Sequence, residues 1–268
     1  MSLTQPQPGV PGIAGGQALS QAQTQFFIPA TASLHERRPR TLKHGDSFAV
    51  FDHSGDAISG PGSPEGFYHR DTRHLSHLYL TVNGMRPILL SSALRDDNAM
   101  LTCDLANPDF LGSDGRVEVE HDLIHLRRSR FLWEGAIYER IIVRNFDIAE
   151  RRVSVGLSFA SDFADLFEIR GMTRLRRGTM HEPKVEEADV LLGYKGRDGL
   201  ERSTHLHFDP APAQLTAEQA LFDVSVAPGG RCTLFARVAC EQMSEVDQPL
   251  PKLFLKSLRE ACLLYTSL

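Results

Sequence analysis

The sequence has little of what marks membrane, secreted or metal-bound proteins. No run of about 18 apolar residues is present, so we expect no transmembrane helix. The N-terminus lacks a basic stretch followed by an apolar one, which argues against a secretory signal. The four cysteines are scattered without CxxC spacing, as expected of reduced thiols rather than of disulfides or a zinc site. We therefore expect a cytoplasmic protein without a membrane partner.

The sequence also has fewer basic residues than acidic ones. The 268 residues carry 29 Lys and Arg against 34 Asp and Glu, a net charge of −5, which disfavours general binding to nucleic acid. The basic stretch at residues 34–43 has no aromatic residues between its charges. We interpret it as a solvated lead-in to the domain, with nucleic-acid contact as the weaker alternative.

The motifs of common catalytic and cofactor sites are missing. We find no GxSxG, P-loop, dinucleotide-binding glycine motif or neighbouring Cys/His pair. The Gly-Arg-Asp-Gly stretch at 196–199 is interpreted as a turn. His69, His74 and His77 do not have the spacing of a metal motif such as HExxH. We expect no cofactor and no metal.

Hydrophobic patterning divides the chain into three parts. Residues 1–25 are uncharged and rich in Gln, Gly and Pro, which predicts a disordered tail that continues through the basic lead-in to residue 40. Within 41–246 apolar residues mostly alternate with polar ones, the period of a β-strand, and long helical periodicity is nearly absent. This pattern predicts one large antiparallel all-β sandwich.

Individual strands follow from the alternation and the turns. The strongest hairpin signal is Asn83-Gly84 between the apolar stretches 77–82 and 86–90. Further strands are predicted at residues 98–105, 116–120, 122–133, 136–146, 152–160, 185–194, 203–208, 214–226 and 231–240. Within 247–268, Pro251 suits a helix start and Leu255, Leu258 and Cys262 share one helical face, so we predict a short connector helix.

Two polar clusters lie next to predicted strands. In residues 66–76, Asp71 could accept hydrogen bonds from backbone N–H groups or from Arg73, and a structural role is favoured over contact with a ligand or another domain. Past the predicted hairpin come Arg95, Asp96 and Asn98, which serve a turn more readily than they bind sugar hydroxyls.

A third cluster carries three carboxylates, Asp162, Asp165 and Glu168, among apolar residues. A glycosidase needs two carboxylates about 5–10 Å apart on opposite sides of the scissile bond. Acids on one short segment rarely form such a pair. We therefore expect Asp162, Glu168 and Arg170 to pair with one another or with Arg140 and Arg144.

The fourth cluster surrounds Trp133, the only tryptophan. An indole can stack on a sugar ring, but a lone Trp in an all-β domain is more often part of a core or an interface. The arginines of 127–130 alternate with Leu126 and Phe131, which we interpret as a strand with one solvated face.

Five ordered motifs carry a resemblance to a known family. They lie at residues 42–48, 66–76, 101–109, 130–140 and 162–171. Together they resemble the N-terminal domain of bacterial amylo-alpha-1,6-glucosidases, which are glycogen debranching enzymes. The resemblance covers residues 40–245.

This resemblance implies a β-supersandwich that precedes an (α/α)6 barrel carrying the catalytic carboxylates. Hydrolysis of α-1,6 glucosidic bonds by two carboxylic side chains needs no cofactor. No catalytic residue is then expected here. The expected partners are the chain's own barrel and an α-glucan or oligosaccharide, and the candidates for the rim of the cleft are Asp71, Arg73, Arg95, Asp96, Asn98, Asp162, Asp165, Glu168, Arg170 and Trp133.

Two other interpretations compete with the accessory domain. A stand-alone carbohydrate-binding or protein-interaction sandwich would use Trp133 with Tyr138. An enzyme complete within this chain would need the acids of 162–168 to be catalytic. Residues 262–267 look like translated sequencing adapter, so we expect the natural chain to continue differently after about residue 260.

Overall fold

A computed structural model describes residues 39–60, 63–95, 98–240 and 248–266. The predicted tail and the first half of the basic lead-in, residues 34–38, lie outside the described residues, as does Asp96. Within the described residues nearly all regular structure is β-strand, and a single long helix comes last. The all-β prediction with a short C-terminal helix is therefore confirmed. Neither described helix has the length and apolar character needed to cross a membrane.

The strands are β1 (Arg40–His44), β2 (Ser47–Phe51), β3 (Ala57–Ile58), β4 (Gly66–His69), β5 (Thr72–Leu75), β6 (His77–Val82), β7 (Ile88–Leu94), β8 (Met100–Ala106), β9 (Phe110–Leu111), β10 (Val117–Val119), β11 (Ile124–Trp133), β12 (Ala136–Asn145), β13 (Arg151–Ala160), β14 (Thr179–Met180), β15 (Lys184–Val185), β16 (Asp189–Lys195), β17 (Glu201–Asp209), β18 (Gln214–Leu215), β19 (Gln219–Val226) and β20 (Arg231–Cys240). The helices are α1 (Leu166–Ile169) and α2 (Leu250–Thr266).

Most of these strands form three antiparallel sheets. The largest has nine strands in the order β14-β16-β17-β20-β12-β11-β8-β7, with β15 also paired to β16. A five-stranded sheet has the order β18-β19-β13-β6-β3, and a four-stranded sheet has the order β1-β2-β4-β5. On β13, for example, alternation turns Val153, Val155, Leu157 and Phe159 inward, and all four are buried. One continuous apolar core joins side chains from all three sheets.

The predicted Asn83-Gly84 hairpin is correct as a turn but wrong as a strand pair. Asn83 and Gly84 both have positive φ, 49° and 73°, and Val82 and Met85 exchange two backbone hydrogen bonds. Beyond Met85 the ladder stops, because Pro87 has no N–H to donate. The chain crosses instead to the other sheet, where β7 pairs with β8, while β6 pairs with β13 and β3.

The interpretation of β11 as a strand with a solvated basic face is wrong for two of its arginines. Arg128 and Arg130 point into the space between the sheets and are each 2% exposed. They follow the same inward period as Leu126 and Leu132. The opposite face carries Phe131, which helix α2 covers.

A buried ion network pairs the charges of these two arginines, although Arg128 Nη2 and Arg130 Nε have no hydrogen-bond partner among the described residues. Glu139 on β12 accepts hydrogen bonds from Arg128 Nε and Arg130 Nη2, both 2.7 Å long, one on each carboxylate oxygen. Asp56 accepts from Arg128 Nη1 at 2.6 Å, and the Arg130 guanidinium lies 4.1 Å from the centre of the Phe51 ring. Burial alone would raise the pKa of Glu139, but attraction to Arg128 and Arg130 outweighs it and holds that pKa below its usual value.

Helix α2 packs on the outer face of the nine-stranded sheet. Its buried side includes Leu250, Phe254 and Ala261, and the Phe254 ring meets Phe131 and Phe235 edge-to-face at 5.1 and 5.4 Å. The predicted helix is confirmed, and its predicted face is correct only in part, since Leu258 packs against this cluster. Leu255 is 49% exposed, because the apolar stripe runs through residue 254 instead.

Candidate functional site

One end of the sandwich gathers the turns that carry the candidate residues. In the nine-stranded sheet, Met100 pairs with Phe131 and Thr204 with Cys240, so the β7–β8, β11–β12 and β16–β17 turns share one end. The Thr204 hydroxyl donates a 2.7 Å hydrogen bond to the His74 carbonyl, which ties β5 and the β4–β5 turn to the same end. We call this the turn end.

The β4–β5 turn presents Asp71. Arg70 and Asp71 both have left-handed backbones, with φ of 43° and 65°. The Asp71 carbonyl accepts a hydrogen bond from Leu166 N–H at 3.2 Å, which docks the turn on the segment that follows β13. The Asp71 carboxylate is exposed and bonds to none of the described residues. The expected bond from Arg73 is absent, because Arg73 turns to Asp162.

Arg73 fastens the turn to its surroundings. Its guanidinium donates to both carboxylate oxygens of Asp162, at 3.1 and 2.5 Å, and to the carbonyls of Ser63 and Glu65. Burial opposes the positive charge, but the hydrogen bonds and attraction of Asp162 prevail and raise the pKa of Arg73. Gly66 makes room for this side chain, since a Cβ there would lie 2.6 Å from Arg73 Cδ. Arg73 and Asp162 thus hold the turn in place.

The other two acids of the third cluster cap a helix. Asp165 is the N-cap of α1 and accepts from the backbone N–H groups of Phe167 and Glu168. The Glu168 side chain accepts in return from the Asp165 N–H, so the pair forms a capping box. Arg170 ends α1 and is exposed.

The expected ion pairs are not found among the described residues: Asp162 pairs with Arg73, and the two acids that follow it pair with arginines outside the prediction. Asp165 pairs with Arg174 and Glu168 with Arg177, not with Arg140 or Arg144. Both partner arginines follow α1 in the chain, whereas residues 140 and 144 lie on the outer face of the nine-stranded sheet. Local chain proximity therefore decides the pairing of Asp165 and Glu168, but not that of Asp162 with Arg73.

These residues border a polar cleft of about 160 Å³, which we call the arginine cleft. Phe163 and Tyr194 stack at its base with ring centres 5.4 Å apart, and the Gly178 N–H donates to the Tyr194 hydroxyl at 2.7 Å. Hydrogen bonds from Arg202 lower the pKa of Asp198 to about 2, so this carboxylate stays ionised. The arginines that line the cleft are Arg174, Arg176, Arg177, Arg197 and Arg202.

The remaining candidates lie at the turn end on the side of α2. Trp133 is half-buried, with its ring centre 4.5 Å from that of His44. Arg95 Nη1 lies 3.4 Å from Cys262 Sγ, which connects the β7–β8 turn to α2. Asn98 is exposed with a φ of 55°. All described candidates therefore share the turn end, in two groups around Asp71 and around Trp133.

The sequence reasoning missed the arginine cleft itself. Its signal was the dense run of arginines at 174–177, which carries no spacing typical of a motif. Tyr194 and Arg202 come from strands far along the chain, and only the sheet register brings them to the cleft. Within the described residues, no group of three His, Cys, Asp or Glu side chains is arranged to hold a metal.

The fold and its turn end define a class: an antiparallel β-sandwich domain whose polar side chains converge on loops at one end. The chain belongs to the family described as the N-terminal domain of (some) glycogen debranching enzymes, whose model matches residues 42–237. This match confirms the resemblance drawn from the five motifs. No curated protein matches the chain.

Solved structures are similar at low identity. One named "Putative kojibiose phosphorylase from human microbiome" is 10% identical with a TM-score of 0.49, over 84% of this chain and 33% of its own. Slr1438 protein from Synechocystis sp. PCC 6803 is 7% identical with a TM-score of 0.45, over 76% and 96%. A galactose mutarotase-like protein from Lactobacillus casei ATCC 334 is 8% identical with a TM-score of 0.41, over 76% and 100%. This chain thus spans about a third of the first of these proteins.

Proposed function

We propose that the chain is the accessory N-terminal domain of a glycoside hydrolase of the amylo-alpha-1,6-glucosidase type. In this proposal the turn end packs on an (α/α)6 catalytic domain and shapes the rim of its substrate cleft. The family supports the debranching context. The observation that carries the proposal is the convergence of the candidate turns at one end, where β20 also ends.

The exposed polar side chains of the turn end are the proposed contacts. The Asp71 carboxylate, the Asn98 amide and the Arg170 guanidinium are exposed and could bond sugar hydroxyls or the catalytic domain. Arg73 and Asp162 are proposed to support the turn rather than to contact a ligand, because they bond each other and the neighbouring backbone. Catalytic carboxylates belong to the partner domain in this proposal, with no cofactor.

The proposed setting is the cytoplasm. All four cysteines are free thiols in the structure, which suits a reducing compartment. The expectation of neither nucleic-acid nor membrane partners rests on the net charge of −5 and the lack of an apolar run.

The test replaces Asp71 in the full-length protein that includes the catalytic domain. Asn is the suitable replacement, because Asn tolerates the left-handed backbone at φ 65° and Ala does not. We expect Asp71→Asn to lower kcat/KM on an α-1,6-branched glucan about tenfold, the effect of losing one charge-assisted hydrogen bond, with Tm unchanged.

Asp223→Asn provides the matched control for this experiment. Asp223 is an exposed carboxylate on β19, within the five-stranded sheet, and its side chain makes no hydrogen bond or ion pair with the described residues. Equal activity of the two variants and the natural protein would refute the role of Asp71.

A stand-alone carbohydrate-binding module is the alternative, and it has less support. Trp133 is partly covered by His44, and Tyr138 is 3% exposed with its ring stacked on Phe131. Neither ring offers a free face of the kind that stacks on a sugar. Retention of the purified chain on an amylose column would favour this alternative.

A further inference from the structure

The arginine cleft carries more positive charge than its own acids neutralise. Three of its arginines are paired: Arg174 with Asp165, Arg177 with Glu168, and Arg202 with Asp198. The other two, Arg176 and Arg197, are exposed and have no ion-pair partner among the described residues. A neutral glucan gives no reason for this surplus, whereas a bound anion does.

The size of the cleft fits one small group rather than a whole sugar chain. Its volume of about 160 Å³ equals the share of about five water molecules in the liquid. Sites for complete small-molecule ligands are larger, at about 300–1,000 Å³. The cleft can therefore hold a compact anionic group while the rest of the ligand lies outside.

The walls of the cleft are held in place before any ligand arrives. Gly178 and Gly196 allow neighbouring atoms to approach the backbone more closely than a side chain would permit. A Cβ on Gly178 would lie 2.0 Å from the Lys195 carbonyl oxygen, and one on Gly196 would lie 2.6 Å from Arg202 Nη1. Phe163, at the base, has a left-handed backbone with φ of 48°, which is unusual for a bulky residue. The paired arginines are also fixed, since Arg177 donates to the Asp162 carbonyl at 2.5 Å.

We infer that the arginine cleft binds the phosphoryl group of a phosphate monoester, with Arg176 and Arg197 as its main ligands. Guanidinium groups match the oxygens of phosphate in geometry and charge, and two unpaired guanidiniums balance one phosphate dianion. The phosphoryl assignment stands on the cleft alone. That the alcohol portion is a sugar rests on the proposed function.

The experiment is isothermal titration calorimetry of the purified chain with inorganic phosphate, glucose 6-phosphate and glucose. We expect both phosphates to bind and glucose not to bind. Exchanging both free arginines, Arg176→Gln with Arg197→Gln, should weaken both phosphates at least tenfold, as expected when two charge-assisted contacts are lost. Arg152→Gln is the matched control, because Arg152 is an exposed arginine on β13 outside the cleft.

Each outcome decides the inference. If neither inorganic phosphate nor glucose 6-phosphate binds, the inference is overturned. It is also overturned if the double variant and the Arg152→Gln control bind phosphate with equal affinity. The arginines would then be interpreted as contacts for an acidic protein surface. Binding of inorganic phosphate without glucose 6-phosphate would overturn the ester assignment. Because these titrations need no catalytic domain, they can succeed while the Asp71→Asn activity test fails, and the reverse.

Discussion

The buried ion network makes the sharpest prediction about stability. Asp56, Arg128, Arg130 and Glu139 are each about 2% exposed in their side chains and together carry no net charge. Replacing Glu139 by Gln leaves the shape of the side chain but gives the network a net charge of about +1. The single amide oxygen of Gln can accept from only one of the two arginines, and its NH2 group then faces the other.

The expected cost follows from what is left unpaired. Removing one partner of a buried ion pair typically costs about 3–5 kcal/mol, because the remaining charge stays buried without compensation. Glu139 bonds two arginines, so we expect Glu139→Gln to lose at least about 3 kcal/mol of the free energy of unfolding. That is a large part of the roughly 5–15 kcal/mol that stabilises a typical domain.

Urea denaturation followed by the fluorescence of Trp133, the only tryptophan, measures this loss. Glu201→Gln is the control: Glu201 is exposed on β17 and pairs with His181 and Lys195, so its midpoint should stay unchanged. A Glu139→Gln midpoint equal to that of the control would refute the network's role. The pKa of Glu139 is lowered by folding, so its contribution is present above the pKa of the unfolded state and is lost as pH falls through the folded value.

Two further predictions concern a histidine and the helix. Burial lowers the pKa of His74 to about 4 from 6.5, so the unfolded chain binds the proton more tightly and stability falls as pH drops from 6.5 to 4. Over that interval we expect the free energy of unfolding to fall by about 3 kcal/mol. In the His74→Gln variant, urea midpoints measured between pH 6.5 and 4 should lack this pH-dependent loss. An unchanged pH dependence in the variant would contradict the role given to His74. Phe254→Ala should cost about 3–5 kcal/mol, because the ring is fully buried against Phe131 and Phe235. Calorimetric melting checks this, with Leu255→Ala, at an exposed position of the same helix, as the control that should melt like the natural chain.

Strand alternation was enough to predict most of the fold. The stretches 136–146 and 231–240 correspond closely to β12 and β20, because one face of each strand is buried and the period of two is regular. Alternation does not reveal which strands pair. Asn83-Gly84 does form its turn, yet Pro87 and the existing partners of β6 send the chain to another sheet.

The sequence also did not allow the burial of charged side chains to be predicted. Arg128 and Arg130 have the polarity of surface residues. Their burial is possible because Glu139, on β12, and Asp56, just before β3, neutralise their charges. At the candidate site, the local acids of 162–168 were recognised as ion-paired, but their partners were not. The cleft depends on Arg202 and Tyr194, whose position is set by the pairing of β16 with β17.

The register of β20 has a consequence for how the chain acquires its structure during synthesis. Ala136 of β12 pairs with Ala239 of β20, and Gly156 of β13 pairs with Leu221 of β19. Two central strands are therefore synthesised well before the strands that pair with them. Such long-range pairing makes folding slow. Until β20 emerges from the ribosome, β12 has an open edge and bears uncovered Ile137 and Ile141, which is the kind of nascent surface that chaperones shield.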